Sequence, residues 1–148
     1  MIPAFAESGL LPDGIHWADM NEIRNRYGHN VHRQRLMSGL ARALKALRSA
    51  GCSTVYLDGS FVTAKEFPGD YDACWESEGV SLADLDPVLL DFSHRRAAQK
   101  AKYFGEFFPA DFRAEPTSPY RTFLNFFQTD KSTGDKKGII GINLATVL

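Results

Sequence analysis

Residues 57–72 read LDGSFVTAKEFPGDYD, in which a glycine-serine pair and an aspartate pair are separated by a short stretch of chain. Residues 52–57, at its start, are rich in β-formers, and residues 70–76, at its end, carry apolar side chains for both faces of a strand. Between the two predicted strands, Pro68 and two glycines indicate a loop. The stretch therefore predicts a strand–loop–strand unit, around which the other elements can be arranged.

Two helices are predicted before this unit. A short helix capped by Asp19 should run to about Tyr27, and a longer one capped by Asn30 should run to about residue 50. The longer helix has leucines in steps of four, four and three, which form one apolar stripe: Leu36, Leu40, Leu44 and Leu47. Its basic residues are expected to lie mostly off that stripe: Arg33, Arg35, Arg42, Lys45 and Arg48.

Helices and strands are predicted to alternate after the unit. The predicted helices are residues 81–92, 93–104 and 119–128, and the predicted strands are 106–114 and 138–145. Pro87 leaves open whether its helix begins there, and Pro109 restricts its strand to a sheet edge or to the strand's end. This order predicts an α/β (α+β) protein with a mixed β-sheet flanked by helices, and not a regular doubly wound fold.

The length and composition predict one domain in a reducing compartment. The 148 residues suit a single domain over 1–148, with an extended N-terminal arm at about 1–17, and the net charge of −1 gives no general attraction to nucleic acid. Cys52 and Cys74 lack the spacing of a disulfide framework. Since we find neither a signal peptide at residues 1–11 nor an apolar run of the ~18 residues that cross a membrane, we expect a cytoplasmic location and no membrane partner.

The glycine-serine pair has the chemistry of a phosphate-binding bend. Gly59 follows the end of a predicted strand, and without a Cβ it lets backbone N–H groups approach a ligand closely. Ser60 adds a hydroxyl donor. If a short helix begins there, its free N–H groups also favour phosphate.

The aspartate pair has the chemistry of a metal site. On a strand, Asp70 and Asp72 would point to the same face with Cα atoms roughly 6–7 Å apart, and their repulsion at an effective dielectric constant of ~20 would be on the order of 2–3 kcal/mol. A divalent cation that prefers oxygen ligands, Mg²⁺ or Mn²⁺, would offset that repulsion. The alternative is that both are surface residues of a turn beside Gly69.

The two motifs together resemble the signature of the DNA polymerase β-like nucleotidyltransferase superfamily, in which Gly-Ser follows one strand and Asp-x-Asp lies on the next. The chain looks most like small prokaryotic nucleotidyltransferase-like proteins, some of whose relatives occur in toxin–antitoxin modules. The resemblance to this group spans most of the chain, whereas the superfamily motif covers only residues 55–75. It implies a nucleotidyltransferase-like fold and a two-metal site that joins a nucleotidyl group from a nucleoside triphosphate to an acceptor.

The resemblance also implies a third carboxylate on a later strand. Asp111 is our first choice as this catalytic and metal-binding residue, beside Asp70 and Asp72, and Glu106 and Glu115 are the alternatives. The acceptor, a protein or an RNA, is not identified by the sequence.

Other residues near the motifs could bind or support a phosphate. Lys65 could contact a triphosphate, or it could be a solvated lysine, and Thr63 could support the phosphate loop by hydrogen bonding. Two other functions stay open. The chain could be a catalytically degenerate binding protein with a protein partner in a toxin–antitoxin pair, or it could bind RNA through the basic run at residues 95–102.

Overall fold

The computed structural model describes residues 1–147, and a mixed five-stranded sheet lies at its centre. The spatial order of the strands is β1-β5-β2-β3-β4. The strands are β1 (Gly14–Trp17), β2 (Thr54–Asp58), β3 (Tyr71–Trp75), β4 (Gly105–Pro109) and β5 (Gly138–Asn143). The helices are α1 (Met20–Tyr27), α2 (Val31–Ser49), α3 (Ser93–Tyr103) and α4 (Phe123–Phe127). The prediction of a mixed sheet flanked by helices is confirmed.

Strand register aligns three acidic residues across the sheet. β2 and β3 pair antiparallel with Asp58 opposite Asp72, and β3 and β4 pair parallel with Asp72 opposite Glu106. Directly opposed residues on neighbouring strands lie on the same face. The sheet therefore brings three carboxyl groups, from distant parts of the sequence, to one face.

The two N-terminal helices begin and end where their capping residues predict. The Asp19 side chain accepts a hydrogen bond from the Glu22 backbone N–H, and Asn30 accepts one from Arg33 in the same way. Helix α2 buries its leucine stripe in the main core. A Cβ at Gly39 would lie 2.1 Å from the carbonyl oxygen of Tyr103, so only glycine allows α3 to pack this closely on α2.

Two predicted helices are much shorter than expected. Within residues 81–92 the structure forms only a 3₁₀ turn at Pro87–Leu90, because the leucines there do not all lie on one buried face. Leu82 is 70% exposed whereas Leu85 and Leu89 are buried. Within residues 119–128 only Phe123–Phe127 is helical.

The sheet has a large core on one face and a smaller one on the other. The smaller core combines Tyr56, Cys74, Ala110, Phe127 and Ile139, and it lies on the same face as the aligned carboxyl groups. The last residues of the N-terminal arm form β1, a strand that we did not predict, which pairs parallel to β5. Within residues 1–147 no helix combines the length and the apolar character needed to cross a membrane.

Candidate metal and phosphate site

Asp70, Asp72 and Glu106 form an acidic group at the start of strands β3 and β4. Each offers one carboxylate oxygen, and these oxygens lie within 4.8 Å of one another. All three residues are half-buried. The parallel register explains the meeting of Asp72 and Glu106, while Asp70 immediately precedes β3. Three converging carboxylate oxygens are a donor set that could hold Mg²⁺ or Mn²⁺.

Within the acidic group, the neighbouring carboxylates disfavour the ionisation of both aspartates. Burial, the hydrogen bond to Glu106 and the nearby carboxylates raise the pKa of Asp72 to about 8. Burial and the charge of Glu106 also raise the pKa of Asp70. Burial alone would raise the pKa of Glu106, but its hydrogen bonds to Asp72 and Arg96 lower it overall. Ionisation of Asp72 is therefore disfavoured in the metal-free site, and a cation could take the place of its proton.

Helix α3 brings two cations to the same group. The Nε and one terminal nitrogen of Arg96 lie 2.8 and 2.5 Å from Oε1 of Glu106, and Lys100 Nζ lies 3.6 Å from that oxygen. The helix begins with left-handed φ values of 51° to 59° at residues 94–96, which cost roughly 1–2 kcal/mol per residue without glycine. The irregular first turn therefore ends in the arginine that contacts the acidic group.

The glycine-serine bend lies directly against Asp72. Gly59 has a φ of +89°, and a Cβ there would lie 3.0 Å from Oδ2 of Asp72. A short 3₁₀ turn, Ser60–Val62, follows. The Thr63 hydroxyl donates to the Ser60 carbonyl oxygen at 2.6 Å and accepts from the backbone N–H of Lys65 at 3.2 Å. These hydrogen bonds connect Thr63 to the bend, while its role beside a phosphate stays a prediction.

Arg33 holds the loop that follows the bend, a role that sequence analysis missed. Its side chain is completely buried, and its guanidinium donates to backbone carbonyl oxygens from Tyr27, Phe61, Thr63, Lys65 and Glu66. The expectation that it lies off the apolar stripe is wrong. Since Arg33 precedes Leu36 by three residues, the helical period already placed it on the buried face.

Two cavities lie on either side of the acidic group. The Ser60 cavity, of about 340 Å³, is lined by Asp72 and by the bend; its other polar and aromatic residues include Asp58, Thr63, Phe126, Lys131 and Lys137. The Arg35 cavity, of about 230 Å³, is lined by Asp70 and by Arg35, Leu36, Gly69, Lys100, Ala101 and Phe104. One aspartate of the pair thus faces each cavity.

The Ser60 cavity contains a buried ion pair. Lys137 Nζ lies 2.5 Å from Oδ1 of Asp58, and both side chains are largely withdrawn from water. The amine lies beside the bend because Lys137 immediately precedes β5, the neighbour of β2 in the sheet. This cavity therefore has a lysine next to its serine and its aspartate.

Asp111, our first choice for the third carboxylate, does not join the acidic group. It follows the end of β4, where Pro109 pairs with Trp75, whereas the acidic group lies at the strands' other end. Five residues of strand span roughly 13 Å, and Asp111 instead accepts a hydrogen bond from Ser77. Glu106, one of the two alternatives, lies in the acidic group in its place, and Glu115 pairs with Arg121. Lys65 is exposed, and its side chain does not line the Ser60 cavity.

The fold and the site define a mixed α+β protein with an acidic group between two polar cavities. The sequence model of DUF6932, a family of unknown function, matches residues 3–143. The chain therefore belongs to that family. Neither a curated protein nor a solved structure matches the chain.

Proposed function

We propose that the protein is a metal-dependent nucleotidyltransferase that moves a nucleotidyl group from a nucleoside triphosphate to an acceptor hydroxyl. The observation that carries the proposal is the meeting of three carboxylate oxygens within 4.8 Å beside a glycine-serine bend. The resemblance of both motifs to the nucleotidyltransferase superfamily supports it. Transfer of this kind depends mainly on positioning and on charge neutralisation, which such a group of ligands can supply.

The Ser60 cavity suits the triphosphate. The Gly59 backbone can approach a phosphate closely, the Ser60 hydroxyl can donate to it, and Lys137 offers a cation at the same wall. Asp72, together with Asp70 and Glu106, would hold Mg²⁺ or Mn²⁺ beside this cavity. A bound divalent ion would neutralise charge on the phosphates as the bond to the leaving group breaks.

The reaction would form a bond from the acceptor oxygen to the α-phosphorus and break the bond from that phosphorus to the bridging oxygen. Pyrophosphate would leave, and the acceptor proton would pass to a base. Asp70 suits this role because it faces the second cavity and because burial raises its pKa above the usual value.

Titration calorimetry with Mn²⁺ and each of the four nucleoside triphosphates tests the proposal. We expect binding of at least one nucleotide that Asp72→Asn abolishes and Ser60→Ala weakens by about tenfold, the effect of losing one charge-assisted hydrogen bond. Ser53→Ala, an exposed serine away from the cavity, is the matched control and should leave the affinity unchanged. Binding that persists in Asp72→Asn would contradict the proposal.

The degenerate binding protein is a second candidate because Arg96 and Lys100 already neutralise Glu106. A scaffold whose third carboxylate is paired with arginine needs no metal. This candidate predicts that the purified chain binds none of the four nucleotides and elutes with a stoichiometric protein partner, such as the other half of a toxin–antitoxin pair.

A further inference from the structure

We propose that the Arg35 cavity binds a phosphate group of the acceptor, so that the acceptor is a phosphate ester with a free hydroxyl. The assignment of the bound phosphate to an acceptor substrate rests on the proposed function above. The anion site itself does not, because it stands on a separate cavity with its own cations.

The two cavities are placed for two different ligands. Asp72 lines the Ser60 cavity and Asp70 lines the Arg35 cavity, although their carboxylate oxygens lie within 4.8 Å. A group bound in one cavity therefore meets a group bound in the other only at the acidic group. A triphosphate that occupies the Ser60 cavity leaves the Arg35 cavity for the second substrate.

The wall of the Arg35 cavity carries an unpaired arginine. The Arg35 guanidinium carbon lies over the Phe104 ring, 4.0 Å from its centroid, while the residue as a whole is exposed to solvent. Within residues 1–147 no carboxylate lies within ion-pair distance of Arg35. A guanidinium that contacts an aromatic ring and has no carboxylate partner is suited to the oxygens of a phosphate.

Lys100 adds a second cation to this wall. It lines the cavity and lies 3.6 Å from Glu106, a distance too long for a tight hydrogen bond. Its amine can therefore turn towards an anion in the cavity. A lysine and an arginine together match a phosphate monoester, whose charge is close to −2 at neutral pH.

The charge balance predicts that this site prefers the metal-loaded protein. Arg96 and Lys100 lie beside Glu106, and Arg35 lines the neighbouring cavity wall. A divalent ion bound at the acidic group would therefore add positive charge next to this cavity. The size of the cavity, about 230 Å³, admits a phosphate with part of a sugar. A hydroxyl of that sugar would point to Asp70, the one acidic residue of the cavity wall.

Inorganic phosphate, followed by amide chemical shifts in NMR, is the direct probe. We expect saturable shifts at Gly69 and Ala101, with an affinity at least fivefold weaker in Arg35→Gln and in Lys100→Gln. Arg42→Gln is the matched control: Arg42 lies on the same helix and faces the same Phe104 ring at 5.1 Å, but it does not line the cavity. Its affinity should stay within twofold of wild type.

Two results would overturn the inference. Shifts confined to Thr63 and Ser132, which line the Ser60 cavity, would place phosphate elsewhere, and equal affinities in wild type and Arg35→Gln would remove the role of the arginine. Ribose 5-phosphate and a 5′-phosphorylated RNA hexamer can then be tested as competitors of inorganic phosphate. Competition by the first indicates a small acceptor and competition by the second indicates an RNA end, and either result supports a phosphate ester.

A Mn²⁺ titration of the same samples separates the two proposals. Phosphate shifts at Gly69 without any metal binding would reject the transferase and keep the anion site. Metal binding at the acidic group without those shifts would reject only the anion site.

Discussion

Arg33 is completely buried and Asp72 is half-buried, and the two side chains have opposite electrostatic surroundings. The Arg33 guanidinium is surrounded by backbone carbonyl oxygens that accept its hydrogen bonds. Asp72 instead faces other carboxylates, and its pKa is raised to about 8. The protein thus surrounds the buried arginine with hydrogen-bond acceptors, whereas it places the carboxyl group at the cavity among groups of its own charge.

This difference indicates a structural role for Arg33 and supports the ligand-binding role proposed for Asp72. A buried charge with all its hydrogen bonds stabilises one loop conformation, and its removal exposes unpaired partners. A carboxyl group beside other carboxylates costs stability when it ionises in the free protein, and a cation that neutralises it binds more favourably. Variants at the two residues should therefore shift stability in opposite directions.

Arg33→Met should have the largest effect on stability. It leaves the buried carbonyl oxygens of Phe61 and Thr63 without donors, so we expect a loss of about 3–5 kcal/mol in the free energy of unfolding, measured by urea denaturation. Arg48→Met, an exposed arginine of the same helix, should change it by about 0.5 kcal/mol or less. Similar values for the two variants would show that Arg33 does not hold the loop.

Metal affinity should rise steeply with pH. Because Asp72 must lose its proton to bind a cation and its pKa is about 8, Mn²⁺ affinity should increase about tenfold per unit between pH 6 and pH 8. Electron paramagnetic resonance of free Mn²⁺ measures this dependence. The same slope in Asp72→Asn, which has no proton to release, would assign the dependence to another group.

Asp72→Asn should stabilise the metal-free protein. Since the folded state raises the pKa of Asp72 above its unfolded value, stability falls as pH rises from about 4 to 8. The amide removes this cost, and we expect a gain of about 1–2 kcal/mol at pH 8 that shrinks as the pH approaches 4. Thermal unfolding at both pH values in EDTA checks it. A loss of stability at pH 8 would mean that the carboxylate is satisfied after all.

Thr63→Val should have the smallest effect of this series. It removes the hydroxyl that bonds to Ser60, at a cost of about 1 kcal/mol. Thr117→Val, at an exposed position, is the control. Urea denaturation curves that coincide for the two variants would show that the bend does not need this hydrogen bond.

Local patterns were sufficient to predict the elements around the two motifs. The caps Asp19 and Asn30 and the leucine stripe define the first two helices, and Pro109 correctly restricts its strand, which is an edge strand and ends there. The approach of Gly59 to Asp72 follows from the antiparallel pairing of the strands on which their motifs lie. These relations depend on residues close in sequence or on one hairpin.

The pairing register of strands that are distant in sequence could not be predicted from the sequence. Which of Glu106 and Asp111 lies beside Asp72 depends on the pairing register of β4 with β3. A shift of a few residues in that register would place a different carboxylate opposite Asp72. The leucines of residues 81–92 have helical spacing, but this spacing alone does not show which of them the rest of the protein buries. Arg35 and Lys100 meet only through the packing of α2 on α3, which no local pattern specifies.

The central claim is that Asp70, Asp72 and Glu106 bind one divalent cation together, and Mn²⁺ titration at pH 8 tests it most directly. We predict saturable binding in wild type, affinities at least tenfold weaker in Asp72→Asn and Glu106→Gln, and wild-type affinity in Asp111→Asn. Wild-type protein that binds no Mn²⁺, or a loss of affinity in Asp111→Asn equal to that in Glu106→Gln, would contradict the account.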